Sequence, residues 1–581
     1  MLEFIQLLKQ RYQAILVQRH NGPTHLQYQQ RIDQLLLSEA FIRKGQTIDL
    51  MAGLKASVPL QIAVVGPTQA GKSSLVNVLL NSNAAGVSPL AGYTVHPQGF
   101  CHCVSLNACG DLQRYFGRFQ CLPAGQLTKG RYDCYSLTEV TGVSPYLPPC
   151  VIWDTPDFDS IDSATYREGV IRAVALADMI VLVVSKEKYA DQSVWDMMSM
   201  LADLHQPTVI CLNKLSEGSQ AILTQSLREK WQQARTDAFP EVVPLYYQKP
   251  AGLPLWPTAK QGLLVDTQNN VDHRNHAGFE QALLQKYWQG WLAPVLEEHQ
   301  ALTDWETLVD EMMGQALASY RRDYLDHPHH YETFQQALAE LMVLLEIPGL
   351  AGVLTGVRKA LTWPVRQLMK LGRKQLHIVD SSHEIVLLNQ IVEHALIQTV
   401  DRLLDKAEQN KQAIWWKTLS GLLRSQRQAI HQDFALAAKN YHISFQQDVE
   451  KTAHHLYDKL QEQPMVLNSL RATRVTADAA VIALTLHTGG IGVHDLVIAP
   501  AMLTVTSLLA ESSIGGYMHK VEAQLKQRQF NEVKQVLFMD SLAKELLGLP
   551  GQIPSISHFN ISPEQLRVIG QQEKRYGLRL L

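Results

Sequence analysis

Apolar positions in the first 58 residues recur at helical spacing: Ile5, Leu8, Tyr12, Ile15 and Leu16, then Leu26, Ile32, Leu35 and Leu36 after the break at Asn21-Gly22-Pro23. This predicts two helices. From Pro59 to about Ala293 the texture changes to short, continuous apolar runs alternating with helical segments. Leu60–Val65, Cys150–Trp153, Met179–Ser185 and Thr208–Leu212 read as buried strands, and their alternation with helices predicts a mainly parallel sheet covered on both faces. Beyond residue 294 nearly every window has helical period, punctuated by Pro348, Pro364, Pro464, Gly489-Gly490 and Pro550. No internal repeat or low-complexity tract interrupts it. The expected architecture is an α/β domain over 59–293, inserted in a largely α-helical protein, with N-terminal helices at 1–58 and a helical stalk or bundle at 294–581.

Composition narrows the class. Of 581 residues, 46% are hydrophobic and 18% charged, enough apolar side chain for a large core and too much for a disordered chain. Lys and Arg number 52 against 55 Asp and Glu, so no global charge draws the chain to nucleic acid, and none is expected as a partner. The seven cysteines, at 101, 103, 109, 121, 134, 150 and 211, are odd in number and confined to one region. That suits a reducing cytosol better than a disulfide framework. No secretory leader is read at the N-terminus, and no run of about 20 uncharged apolar residues is found. A cytoplasmic protein is expected, in solution or peripheral on the inner face of a membrane.

The first candidate for chemistry follows the strand Leu60–Val65. Gly66-Pro67-Thr68-Gln69-Ala70-Gly71-Lys72-Ser73 is G-x4-G-K-S, and Ser74–Leu80 behind it has helical spacing. Strand, loop and helix are the context that a phosphate-binding loop requires. Backbone N–H groups and the positive end of the helix cradle phosphates, and glycine permits close backbone approach. Lys72, taken to sit on an exposed loop, reaches the β and γ phosphates, and the Ser73 hydroxyl ligates Mg²⁺.

Further along, Cys150–Trp153 ends in Asp154-Thr155-Pro156-Asp157-Phe158-Asp159, and Thr208–Leu212 ends in Asn213-Lys214-Leu215-Ser216. A carboxylate at the end of a neighbouring strand is where a P-loop protein holds Mg²⁺. In this order the stretch 59–292 resembles the G domains of Era-like and dynamin-like GTPases, of the 50S ribosome-binding-GTPase type. Gly66–Ser74 stands for the first motif, Asp154–Asp157 for D-x-x-G and Asn213–Ser216 for N-K-x-D. The resemblance implies GTP and GDP as ligands, Mg²⁺ as cofactor and GTP hydrolysis. The nucleotide would be bound by Gly66, Gln69, Ala70, Gly71, Lys72, Ser73, Ser74, Asp154, Asn213, Lys214 and Ser216. Lys72 and Thr94 would be catalytic, and Ser73, Thr94 and Asp154 would hold the metal.

Thr94 takes the family's switch-threonine position by spacing; an ordinary loop threonine is the plainer alternative. Three departures stand out. Asp157 replaces the glycine that meets the γ-phosphate, so it either slows hydrolysis or turns toward a metal or basic partner. Phe158 stands where Ras-like proteins carry a water-orienting glutamine. Ser216 replaces the aspartate that reads guanine, with Glu217 adjacent. Gln69 sits where some relatives hold a monovalent cation, and is otherwise a solvent-facing loop residue. Tyr247-Gln248-Lys249 is a candidate base-contacting loop.

Other clusters weigh less. Cys101-His102-Cys103 with Cys109 lacks a C-x2-C pair, and buried cysteines are favoured over zinc. His327-Pro328-His329-His330 reads as a capped turn. Ile347–Val379 carries Arg358, Lys359, Arg366, Lys370, Arg373 and Lys374, no acidic residue, and an apolar face through Leu354, Leu361 and Leu368. Such a helix docks on anionic lipid or packs on a bundle. Ala479–Ala510 reads as a buried helical hairpin or a membrane-inserting tip. The function expected is a GTP-binding switch and GTPase, dynamin-like by layout, which acts on an anionic membrane surface or through self-association. A soluble regulatory switch with a protein or ribosomal partner, and a P-loop ATPase, stay open as alternatives.

Overall fold

The structure is a computed structural model; it describes residues 1–18, 23–54, 58–88, 93–159, 163–215, 218–246, 255–327, 382–409, 413–465, 468, 515–554, 558–567 and 577–578. The segments Ile347–Val379 and Ala479–Ala510, the residues Ser216 and Glu217, the loop Tyr247-Gln248-Lys249 and Pro328-His329-His330 lie outside them.

The chain divides into two compact units, Met1–Leu296 with Ser555–Leu581, and Glu297–Pro554. In the first, α1 (Leu2–Gln18) and α2 (Pro23–Gly53) precede β1 (Leu60–Val65) and α3 (Lys72–Leu80). Then come β2 (Gln98–His102), α4 (Leu112–Phe116), β3 (Gln120–Cys121), β4 (Cys134–Val140), β5 (Cys150–Asp154) and α5 (Ser163–Leu176). After these follow β6 (Met179–Ser185), α6 (Gln192–Leu201), β7 (Thr208–Leu215), α7 (Gln220–Ala234), β8 (Glu241–Tyr246), α8 (Leu263–Gln268) and α9 (His276–Tyr320). The eight strands form one sheet in the order β3-β4-β2-β5-β1-β6-β7-β8, parallel throughout except that β2 runs against β5.

The continuous apolar runs are explained by burial on both faces, since successive strand residues point to opposite sides. Ala63 and Val65 of β1, Val151 and Trp153 of β5, and Ile180, Leu182 and Val184 of β6 share one core. Ile62 and Val64, Ile152, and Val181 and Val183 join the other, with Leu75, Val76 and Leu79 of α3. The N-terminal helices belong to the first core: Ile5, Leu8, Tyr12, Leu35 and Phe41 pack there with Val170 and Val174 of α5. Tyr12 Oη also donates to Trp291 O at 2.8 Å. Residues 1–58, read from sequence as a zone apart, therefore form part of the sheet-bearing unit, and 555–581 group with it as well.

The second unit contains the end of α9, α10 (His383–Gln409), α11 (Ala413–Gln461), α12 (Gly515–Glu532) and α13 (Lys544–Gly548). Trp305, Met313, Trp416, Phe434 and Phe538 fill its core. Within it Glu384, 1% exposed, accepts hydrogen bonds from Tyr320 Oη at 2.6 Å, Gln529 Nε2 at 2.9 Å and Tyr441 Oη at 3.2 Å. A carboxylate so placed ties three helices to one register, because each donor would otherwise be buried unpaired. Among the described residues no helix is long and apolar enough to cross a membrane.

Candidate functional site

Parallel pairing sets the site. In register Val64 lies beside Asp154 of β5, and Val65 beside Leu182 of β6. The carboxyl ends of three strands thus open at one place, the usual position for a ligand on a doubly wound sheet. The loop that leaves β1 there has little freedom. A Cβ on Gly66 would lie 2.2 Å from Val183 O, so only glycine passes β6 at that height. Gln69 (φ 62°) and Gly71 (φ 96°) take left-handed backbone, and a Cβ on Gly71 would lie 2.3 Å from Asn213 Nδ2.

The chain then enters α3 at Lys72. Leu75 N bonds to Gly71 O at 2.9 Å, so the N–H groups at 72–74 have no acceptor inside the helix. These open onto a cavity of about 510 Å³ lined by Gln69, Gly71, Lys72, Ser73, Ser74, Ser88, Thr94, Asp157 and Lys214. Lys72 is not on an exposed loop, as the sequence suggested: it begins α3 and is 5% exposed. Its Nζ donates to Gly66 O at 3.0 Å, to Pro67 O at 3.2 Å and to Asp157 Oδ1. Of the alternatives left open for Asp157, the structure takes the turn toward a basic partner.

Ser73 Oγ donates to Asp154 Oδ2 at 2.6 Å, while Asp154 Oδ1 is buried with no hydrogen-bond partner. Burial pushes the Asp154 carboxyl up to about 6; the Ser73 hydrogen bond and the Lys72 charge pull the other way, and Asp157 adds to the rise. An orphaned, buried carboxylate oxygen beside a hydroxyl is an incomplete oxygen donor set, and it suits a hard divalent cation such as Mg²⁺.

The remaining predicted residues take distinct places. Thr94 is buried at the cavity wall. Ala70 is buried, and its carbonyl accepts from Asn213 Nδ2 at 2.9 Å. Asn213 Oδ1 accepts from Lys214 N at 2.8 Å, and Lys214 Nζ reaches Gln69 O at 2.7 Å. Asn213 and Lys214 thus brace the loop from β7, inside the strand rather than after it. Gly66 forms the floor against β6 and does not line the cavity.

Sequence reasoning missed a second brace. Asp159 Oδ1 accepts from Thr68 N and Thr68 Oγ1, both at 2.6 Å, and its Oδ2 accepts from Lys188 Nζ at 3.1 Å. Burial would push the Asp159 carboxyl up, yet Thr68 and Lys188 hold it below its usual range. Lys188 follows β6, and only the strand order reveals that this loop borders the one after β1. Asn77 was also unread; its amide bonds Ala85 through both N and O at 2.8 Å, fixing the chain that leaves α3 toward Thr94. The cysteine cluster divides: Cys101 and Cys109 are buried with sulfurs 3.7 Å apart, whereas Cys103 is exposed. Among the described residues no group of three or more His, Cys, Asp or Glu is placed to hold a metal.

Residues 61–214 match the model of a protein family described as 50S ribosome-binding GTPase. No curated protein matches the chain. Two solved structures of an oligomerised bacterial dynamin pair, described in terms of long-range sensing and tethering of membranes, are similar to it. One aligns over 99% of this chain and 92% of its own at 9% identity, the other over 91% and 88% at 11%, each with a TM-score of 0.31. Agreement that loose adds no argument to the family match. With that match falling on the strand, loop and helix just described, the chain carries a P-loop GTPase domain of the 50S ribosome-binding GTPase type, set between flanking helical regions.

Proposed function

We propose that the cavity at the start of α3 takes the phosphates of GTP and that the residues around it act as follows. Lys72 exchanges Asp157 for the β and γ phosphates, while the N–H groups of the first turn receive phosphate oxygens. Ser73 and Asp154 hold Mg²⁺, which when bound neutralises charge on those oxygens. Thr94, already at the wall, closes over the γ-phosphate as a switch residue. Asn213 and Lys214 keep the loop in shape, and guanine selection falls to the neighbourhood of Ser216. The observation that carries this reading is the convergence of Lys72, Ser73 and the orphaned Asp154 oxygen on one open helix end. Phosphate release from GTP and from ATP, measured with and without Mg²⁺ on the purified protein, tests it. Faster or tighter use of ATP would replace the guanine assignment, and absence of turnover with either would leave a binding site alone.

A switch needs a receiver. We further propose that the helical unit passes the nucleotide state to a second copy or to an anionic membrane surface, in the cytoplasm and at its inner face. Helices on both sides of the GTPase domain and the acid-free basic segment 347–379 favour this over a ribosomal partner, given the near-neutral charge. Co-sedimentation with anionic liposomes at low and high salt separates the two. A salt-insensitive failure to bind in every nucleotide state would favour the soluble switch.

A further inference from the structure

Away from the nucleotide cavity, within the same unit, α1, α2 and α5 meet around a second hollow of about 230 Å³. Its walls carry four cations: Lys9, Arg43, Arg118 and Arg172. Among the described residues two carboxylates face them, Glu39 and Glu168. Glu39 accepts from Lys9 Nζ at 2.6 Å, and from Arg43 Nε and Arg172 Nη2 at 3.2 Å each. Glu168 accepts from Arg172 Nη2 at 2.8 Å and from Arg118 Nη2, with Lys9 Nζ at 3.9 Å. Four positive charges against two negative leave a surplus of two.

The shortage of acceptors shows at one atom. Arg172 is 3% exposed, and its Nη1 is buried with no hydrogen-bond partner. Guanidinium carries five N–H donors and no acceptor, so two carboxylates cannot saturate three arginines and a lysine. The Arg172 guanidinium lies over the Phe119 ring, with Cζ 5.4 Å from its centroid, and its other nitrogens hold Glu39 and Glu168, so the cluster keeps more donors than acceptors and an anion in the hollow would offset its charge. The space equals that of roughly seven or eight waters, which fits a tetrahedral anion with a small substituent inside the hollow.

We propose that this hollow is a binding site for a phosphate monoester, with Arg118, Arg43 and Lys9 as its donors and Arg172 supplying charge from behind them. Two sources share that chemistry, a small soluble phosphate ester and the phosphomonoester headgroup of a lipid. The surrounding field agrees: burial would push the Glu39 carboxyl up, yet Arg172 and Lys9 hold it at about 2.

The P-loop also takes phosphate, so the test uses the full-length Lys72→Ala/Asp157→Asn protein, in which that competing lysine is gone. Glycerol phosphate should raise its melting temperature and bind in calorimetry. Gln13→Glu, at the exposed rim of the hollow, adds a carboxylate without breaking an ion pair and should weaken binding at least tenfold. Arg118→Ala, whose side chain is 66% exposed, should weaken it several-fold with the fold intact. Vesicles of phosphatidylcholine with phosphatidate are the second arm. Capture that glycerol phosphate reverses assigns the lipid, and glycerol phosphate binding without capture assigns the soluble ester. No melting shift, or a shift that Gln13→Glu and Arg118→Ala leave unchanged, overturns the proposal.

Discussion

Lys72 Nζ donates a hydrogen bond to Asp157 Oδ1, with the two side chains 5% and 11% exposed. The lysine that a triphosphate needs is thus already held by a carboxylate, in the position where related domains place a glycine. Entering phosphate must displace one anion from Lys72 and then lie beside it. Asp157→Asn removes the competitor while keeping the shape. We expect nucleotide affinity to rise about tenfold or more, from the charged hydrogen bond no longer broken on binding. Titration with a fluorescent GTP analogue reads this directly, and unchanged affinity would show that Asp157 moves aside without consequence.

Lys72→Ala should abolish tight nucleotide binding, as expected from the motif. Burial adds a second effect that the motif does not carry. Removing one partner of a buried ion pair leaves the other charge uncompensated, and apo stability should fall by about 3 kcal/mol. Chemical denaturation of the single variant and of Lys72→Ala/Asp157→Asn separates the effects: the double variant should recover stability and still fail to bind. A single variant as stable as the parent would contradict the buried pair.

Asp154→Asn replaces the orphaned oxygen's carboxylate with a neutral amide. Affinity for Mg²⁺ with GTP should drop at least tenfold, since the site loses its one fixed negative charge beside Ser73. Nucleotide binding in the absence of Mg²⁺ should survive. Measured magnesium dependence that stays the same would move the metal role to Asp157 or Asp159.

Acid sensitivity is expected from His276. It packs on Phe41 with ring centroids 4.1 Å apart, and its Nε2–H donates to Phe41 O at 3.0 Å. Burial, helped by the Lys44 charge, pushes its pKa down to about 4 from an ordinary 6.5. The unfolded chain therefore takes up a proton that the folded one refuses. The stability contribution is complete above pH 6.5 and is lost as pH falls to about 4, on the order of 3 kcal/mol across that window. His276→Gln keeps a donor for Phe41 O and should flatten the melting-temperature profile there. An unaltered profile would place the titration elsewhere.

What the sequence alone determined is largely local. Six residues from Leu60 to Val65, a loop with glycines at 66 and 71 and a helix from Lys72 dictate a phosphate loop, because each demand is met by neighbours in the chain. The strands at 150, 179 and 208 were legible for the same reason: burial on both faces writes an unbroken apolar run. β2, β4 and β8 have mixed composition and β3 is only two residues long, so they wrote no such run. Tertiary structure alone decided what those elements do to each other. The strand order sets Lys188 beside Thr68 and Asp159, three segments far apart in sequence. It also draws Asp157 onto Lys72 and pulls the N-terminal helices onto the sheet, where Glu39 meets Arg172 across 133 positions. Such pairings depend on distance through space, and a carboxylate's letter in a sequence does not say which of several cations will be folded against it.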